Sequence, residues 1–117
     1  MATLTVQDAK EAGGITFQTA AGGGDVFPND GKTVLVFWND DASLAIVTVT
    51  AQDTTASGVG FGAVTKVDAV KSIAANTADV MGPFPTIAFN NSSAQAVVTY
   101  SSVTDLDVAA VRVSGAT

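Results

Sequence analysis

Apolar and polar residues alternate along most of this chain in short stretches, separated by residues that form turns. In Leu44–Ala51, for example, every second residue is apolar, so an extended chain would place Val47, Val49 and Ala51 on one face. Stretches of this kind, recurring every 8–12 residues or so, predict an all-β domain. The predicted strands are Thr3–Val6, Ile15–Thr19, Thr33–Trp38, Leu44–Ala51, Val64–Ile73, Asp79–Met81, Ala94–Tyr100 and Asp107–Val113.

Two of these stretches depart from simple alternation. Thr33–Trp38 is β-branched and aromatic throughout, which is typical of a central strand. Val64–Ile73 has apolar residues at a spacing of three that would suit a short helix, but its β-branched content favours an irregular strand.

The segments between the strands carry recognisable turn chemistry. Ala20–Gly24 is a flexible break, and Asn39–Ala42 predicts a turn because Asn and Asp bond their own backbone. Gly82–Pro85 must be extended, since each proline restricts the residue before it.

Together the strands and turns predict an antiparallel β-sandwich or a small, jelly-roll-like barrel of about eight short strands. A chain of 117 residues is expected to form one domain with one core. We assign residues 15–117 to this sandwich and residues 1–14 to an N-terminal arm, because the arm has only a short alternating stretch.

The composition argues against an enzyme. The chain has no His, no Cys and a single Glu, Glu11, so the side chains that most often move protons, attack as thiols or bind transition metals are scarce. We expect no catalytic residues, no cofactor and no metal. The lack of Cys also fits assembly in a reducing cytoplasm.

Charge and hydropathy limit the partners. Only 14% of residues are charged and the net charge is −6, which disfavours nucleic acid and anionic membranes. No apolar run approaches the roughly 20 residues of a membrane span, and the N-terminus lacks the pattern of a secretion signal. A hydrophobic content of 47% with so few charges is typical of a protein that hides surface in an assembly, although a single domain rich in Ala and Val would also show it.

Three groupings could carry chemistry, but each has a simpler interpretation. The carboxylate pairs Asp40–Asp41 and Asp105/Asp107 match no calcium loop and are expected to be solvated acids of turns and strand edges. The glycine-rich Gly58–Gly62 is better suited to a hairpin tip than to a phosphate cradle. Lys71 and Ser72 would point to opposite sides of a strand.

The aromatic residues suggest contact surfaces. Phe37 and Trp38 are neighbours on one strand, so one must face the core and the other outward. Phe61, on the glycine-rich tip, is either a docking anchor or a lid over the sandwich. An exposed Trp is a natural anchor for a partner. The interface candidates are Leu4, Val6, Phe27, Pro28, Trp38, Phe61, Pro83, Phe84 and Pro85.

Two segments and a closing strand carry a resemblance. The first segment is Gly24–Asn39. The second is Met81–Pro85, followed by Asn90 and a strand that ends in Thr99-Tyr100-Ser101, and the closing strand is Leu106–Val113. Together they resemble small β-rich virion proteins of tailed bacteriophages, the capsid decoration or cement proteins. The resemblance covers Gly24–Val113, whereas residues 1–14 have no counterpart.

The resemblance implies a non-enzymatic protein that binds the outer surface of the phage head and bridges major capsid proteins. It would be made in the host cytoplasm, reside on the virion and form a homo-oligomer. The high apolar content separately favours a trimer over a dimer. The contact would be made by the arm, or by the Phe27–Gly31 loop with Gly82–Pro85, whose prolines pre-order apolar loops. The alternatives are a tail or head–tail component, and a carbohydrate- or cell-surface-binding module built around Trp38 and Tyr100.

Overall fold

The protein is an all-β sandwich, confirming the predicted fold class. The structure, a computed structural model, describes residues 2–9, 13–52, 55–58, 62–65 and 68–112. These residues form twelve strands and one helical turn: β1 Ala2–Thr3, β2 Val6–Asp8, β3 Gln18–Thr19, β4 Asp25–Pro28, β5 Thr33–Asn39, β6 Ala45–Val49, β7 Thr55–Gly58, β8 Gly62–Thr65, β9 Ala69–Ile73, β10 Thr77–Met81, α1 Thr86–Phe89, β11 Gln95–Tyr100 and β12 Leu106–Arg112.

Ten of the strands build two sheets. The first sheet has the order β1-β4-β11-β6-β9, and the second has the order β10-β5-β12-β2, with β3 also paired to β12. β7 and β8 form a separate antiparallel pair. No helix in the part of the chain that the structure describes is long and apolar enough to cross a membrane.

The core lies between the two sheets and follows the alternation of the sequence. In β5, Leu35 and Phe37 are completely buried while Trp38 is exposed, and in β6 the same holds for Val47 against Ile46. The largest fully buried apolar side chains are Leu4, Phe27, Leu35, Phe37, Val47, Val49, Ile73, Phe89, Val98, Leu106 and Val108.

The prediction of a purely antiparallel sandwich of about eight strands is corrected in two respects. β1 pairs with β4 in parallel, and β2 pairs with β12 in parallel. The two sheets also contain ten strands instead of about eight. Several of the strands that the sequence did not reveal are short, and β4 was missed because it contains a buried Asp and a Pro.

The N-terminal segment belongs to the sandwich. Its first strand extends the first sheet, its second strand extends the second sheet, and Leu4 between them is buried in the core with 1% of its surface exposed. Residues 2–8 therefore link the two sheets along one side, which the prediction of a separate arm did not anticipate.

The predicted strand Ile15–Thr19 is shorter in the structure, where only Gln18–Thr19 pairs. The reason is competition for the same edge: β2 already occupies Ala110–Arg112 of β12, so that only Asp107 and Val108 remain for β3. The residues before β3 are held instead by the Gln7 side chain, which bonds both backbone groups of Thr16.

The ambiguous stretch Val64–Ile73 is extended wherever the structure describes it. Gly62–Thr65 and Ala69–Ile73 are strands, which confirms the preference for a strand over a helix, and residues 66–67 lie outside the described part. Ala69–Ile73 is the edge strand of the first sheet and leads through a turn into β10, the edge strand of the second.

Candidate interaction surface

The second sheet is apolar on both of its faces. Its inner face lines the core, and its outer face carries Val34, Val36 and Trp38 from β5 beside Ala78 and Val80 from β10. We call these five residues the Trp38 face. Trp38 and Val80 are 39% and 57% exposed, and Val34 and Val36 are partly exposed, so apolar groups of this face reach solvent. The outward-facing Ala109 and Val111 of β12 beside them are buried.

The strand register fixes the neighbours of each side chain on this surface. Trp38 lies between Ala78 on one side and Asp107 on the other. Val36 lies between Val80 and Ala109. Residues that lie directly opposite each other on paired strands have Cβ atoms about 5 Å apart, so their side chains are close neighbours across the strands.

The outer face of the first sheet is different in character. Val70 and Ile46 are exposed there, but Val70 is in register with Thr48, which is in turn in register with Thr99. Hydroxyl groups thus interrupt the apolar area. Among the strands of the two sheets that the structure describes, Asp107 is the one charged residue at an outward-facing position.

Strand β10 borders the Trp38 face and its free edge is partly closed. The Asp79 carboxylate accepts a hydrogen bond of 2.8 Å from the Val80 backbone N–H, and its other oxygen lies 3.5 Å from the Lys71 ammonium of β9. An acid that caps its own strand edge and pairs across to the other sheet hinders addition of a further strand.

A cleft of about 330 Å³ opens where β9 and the end of β10 separate. Pro83 and Pro85 line it together with Phe84, Phe89 and Lys71. Its lining residues are mainly apolar.

The two sequence segments that carry the resemblance meet in space. The Asn29 side-chain N–H donates to the Phe84 carbonyl at 3.1 Å and to the Asn90 amide oxygen at 2.7 Å. The ring centroids of Phe27 and Phe84 are 5.9 Å apart. The Asn29 loop and the Gly-Pro-Phe-Pro segment therefore form one unit, held by a buried amide and by two aromatic rings that pack at a tilt of 56°.

This packing corrects part of the interface prediction. Leu4, Phe27 and Phe84 are at most 3% exposed, because each fills the space between the sheets or under the joined loops, so their side chains are not available to a partner. Val6 is half-buried and packs against the core.

The remaining candidates are at the surface or outside the described residues. Trp38 is exposed, as are Pro28, Pro83 and Pro85. Phe61 lies outside the described part, as do residues 59–61 of the glycine-rich tip. The division of Phe37 and Trp38 between core and surface is confirmed.

Sequence reasoning missed Val36, Val80 and Asp107. The available signal was the uninterrupted apolar run Val34–Trp38, since a strand that is apolar at every position has two apolar faces. For Val80 and Asp107 the decisive fact is the strand order, which places them beside β5.

Trp38 and Tyr100 do not share a face. Tyr100 is in the first sheet, where its hydroxyl donates a 2.7 Å hydrogen bond to the Asp25 carboxylate and its ring packs edge-on against Phe37. Burial, reinforced by the hydrogen bond to Asp25, raises the pKa of Tyr100 far above its ordinary value. Tyr100 is partly buried, and it packs against the core with its hydroxyl bonded to Asp25.

Charged side chains lie in two groups at opposite ends of the second sheet. At the end where β12 finishes, Arg112 bonds Asp8 at 2.9 Å and approaches Asp30 at 3.5 Å. The Lys32 backbone N–H is the main cause that lowers the pKa of Asp30, and the bond to Asp8 is the main cause that raises that of Arg112. At the opposite end are Asp40, Asp41, Asp105 and Asp107.

In the part of the chain that the structure describes, no group of three or more potential ligands from His, Cys, Asp and Glu could hold a metal ion. Comparison with protein-family models, curated proteins and solved structures found no match for this chain. Any conclusion about function therefore depends on the surface itself and on the resemblance of the sequence.

Proposed function

We propose that this protein is a non-enzymatic structural protein of a tailed-bacteriophage virion, a capsid decoration or cement protein that binds the outer surface of the head and bridges major capsid proteins. The observation that carries the proposal is the Trp38 face. A solvated outer face of an antiparallel sheet ordinarily carries polar residues. Here it carries Val34, Val36, Trp38 and Val80, as expected of a surface that another protein covers.

The distribution of exposed groups supports a protein that docks through the face of a sheet rather than an enzyme. Charges lie mostly at the ends and edges of the sheets, and Asp79 protects the β10 edge against uncontrolled strand addition. A subunit that must remain soluble before assembly and then bury a flat apolar surface needs this combination. Trp38 supplies a rigid aromatic anchor near one end of that surface.

The proposal is tested by co-sedimentation of the purified protein with empty, expanded capsids formed by the capsid protein encoded beside it. Saturable binding at a fixed ratio to the capsid protein is expected, and the ratio identifies the symmetry position that is filled. Capsids that sediment without the protein at concentrations well above micromolar would contradict the proposal and favour a tail component.

A further inference from the structure

The end of the second sheet that carries Trp38 is acidic. Asp40 and Asp41 directly follow β5, and Asp105 and Asp107 lie at the start of the antiparallel β12. The Asp40 backbone N–H donates to the Asp105 carbonyl at 3.0 Å, which ties the two chain segments together. Asp107 is the direct register neighbour of Trp38.

These four carboxylates have no cationic partner among the described residues. The described ion pairs are Lys71 with Asp79, and Arg112 with Asp8 and Asp30. Arg112 lies in register with Thr33, at the opposite end of β5 from Trp38. Negative charge therefore accumulates next to the exposed indole without compensation from the strands beside it.

The Trp38 face is thus an apolar surface with negative charge at one end. Whatever covers it must bring apolar side chains to Val36 and Val80 and positive charge to Trp38 and Asp107. An arginine meets both demands at that end, since its guanidinium stacks on an indole and pairs with a carboxylate at the same time.

Among the described residues, the Trp38 face of a second copy does not supply that charge. The far end of the face carries the cationic residues Lys32 and Arg112 but also Asp8 and Asp30, both of which pair with Arg112, so the charges there cancel in number. Two copies packed face to face would place the acidic end against a neutral end or against another acidic end, and each copy has a net charge of −6.

We propose that the Trp38 face docks on a capsid-protein surface that presents an arginine side chain over Trp38 and against Asp107, with apolar residues over Val36 and Val80. This inference rests on the proposed function and adds the chemistry and the orientation of the contact. The acidic end marks which end of β5 lies over the basic group of the capsid.

The experiment is co-sedimentation of the full chain and its variants with the same expanded capsids, over a series of salt concentrations. Val80→Lys places a charge on the Trp38 face, and Val70→Lys is its matched control. Both valines are on edge strands and have similar exposure, 57% and 60%, but Val70 faces outward from the first sheet. Asp105→Asn with Asp107→Asn removes charge from the acidic end; Asn tolerates the positive φ of 51° at position 105.

We expect Val80→Lys to weaken binding by at least about tenfold and Val70→Lys to leave it unchanged. The double Asn variant should bind about three- to tenfold more weakly, and its binding should depend less on salt. Circular dichroism and thermal melts of each variant establish that it is folded.

Other outcomes separate the two proposals. If the wild type binds and both Lys variants bind equally well, the Trp38 face is not the contact and the docking inference is wrong, while the proposed function stands. If the wild type does not bind, both proposals fail. A wild-type oligomer that Val80→Lys converts to a monomer would show that a second copy covers the face, which also overturns the inference.

Discussion

Asp25 is the least expected residue of the core. It is completely buried in β4, and one of its carboxylate oxygens accepts hydrogen bonds from the Tyr100 hydroxyl and the Ala21 backbone N–H. The other oxygen, Oδ1, has no hydrogen-bond partner in the structure. Tyr100 thus holds a carboxylate that would be costly to bury alone.

Tyr100→Phe should lower the free energy of unfolding by about 1–3 kcal/mol, since it deprives the Asp25 carboxylate of its shortest hydrogen bond. Chemical denaturation at neutral pH measures this change. A variant as stable as the wild type would show that the pair contributes little.

The same pair predicts an alkaline limit to stability. Burial and Asp25 raise the pKa of Tyr100 in the folded protein above its unfolded value near 10, so the stabilisation is fully present below about pH 10. Above that pH the unfolded chain loses a proton that the folded chain keeps, and stability falls by up to about 1.4 kcal/mol per pH unit. Because Tyr100 is the chain's single Tyr, its ultraviolet absorbance reports this titration directly. Ionisation near pH 10 in the folded protein would contradict the account.

Asn39 shows how far its residue type alone predicts its contacts. Asn39 was expected in a turn, and its side-chain oxygen does accept the Asp41 backbone N–H. Its side-chain N–H groups, however, donate to the carbonyls of Ser43 and Ile73, which fixes the turn after β9 to the end of β5. Local bonding could be predicted from residue type, whereas a contact over 34 positions required the fold.

At the scale of elements, the N-terminal strands close one side of the sandwich. β1 and β2 are short and each pairs with only one other strand, but they hold Leu4 between the sheets. The alternation of Leu4 and Val6 could be recognised in the sequence. This alternation gave no indication that the segment contributes one strand to each sheet. That arrangement depends on which edges of β4 and β12 are free for pairing.

Leu4→Ala should destabilise the protein by about 2–4 kcal/mol, because it leaves a cavity in the core and weakens the link between sheets. Thermal or urea denaturation provides the measurement, with Thr3→Ala at the exposed neighbouring position as the control. If both variants melt like the wild type, residues 2–8 are a peripheral arm after all.

Because residues 2–8 link the two sheets, deletion of residues 1–14 should impair folding itself. A loss of capsid binding in that variant would then not identify a contact.

The edge strand β10 gives a second prediction at this scale. Asp79→Ala frees the Val80 backbone N–H and removes the partner of Lys71, so the variant should self-associate more strongly, with little change in stability for an exposed ion pair. Asp79→Asn is the matched control, because its amide oxygen can still accept from Val80. Sedimentation velocity distinguishes the two, and identical behaviour of both variants would rule out edge capping by residue 79.

For the molecule as a whole, the alternation of the chain was sufficient to predict an all-β sandwich and to predict that Phe37 and Trp38 lie on opposite sides of one strand. The structure is what shows that Phe37 is the buried one. The segments around Asn29 and Phe84 were named together because of the family resemblance and as one possible contact, and the structure brings them together. The Trp38 face itself could not be predicted, because Val80 and Asp107 are distant from β5 in sequence and join it only through the strand order.

Among the described residues, the molecule combines a buried core with an exposed apolar surface on the outer face of the second sheet. The first sheet's outer face mixes hydroxyl and apolar groups, while the second sheet's outer face is apolar and ends in unpaired acids.

We predict that the Trp38 face is covered when the protein is mixed with the expanded capsids of the proposed function. Trp38 is the single Trp of the chain, so replacement by 5-hydroxytryptophan gives a fluorophore at one known position that can be excited apart from capsid tryptophans. The most direct measurement is iodide and acrylamide quenching of this fluorophore, free and at saturating capsid. We predict that both quenchers reach Trp38 in the free protein and that binding shields it several-fold. Equal quenching in the free and the capsid-bound protein would contradict the account.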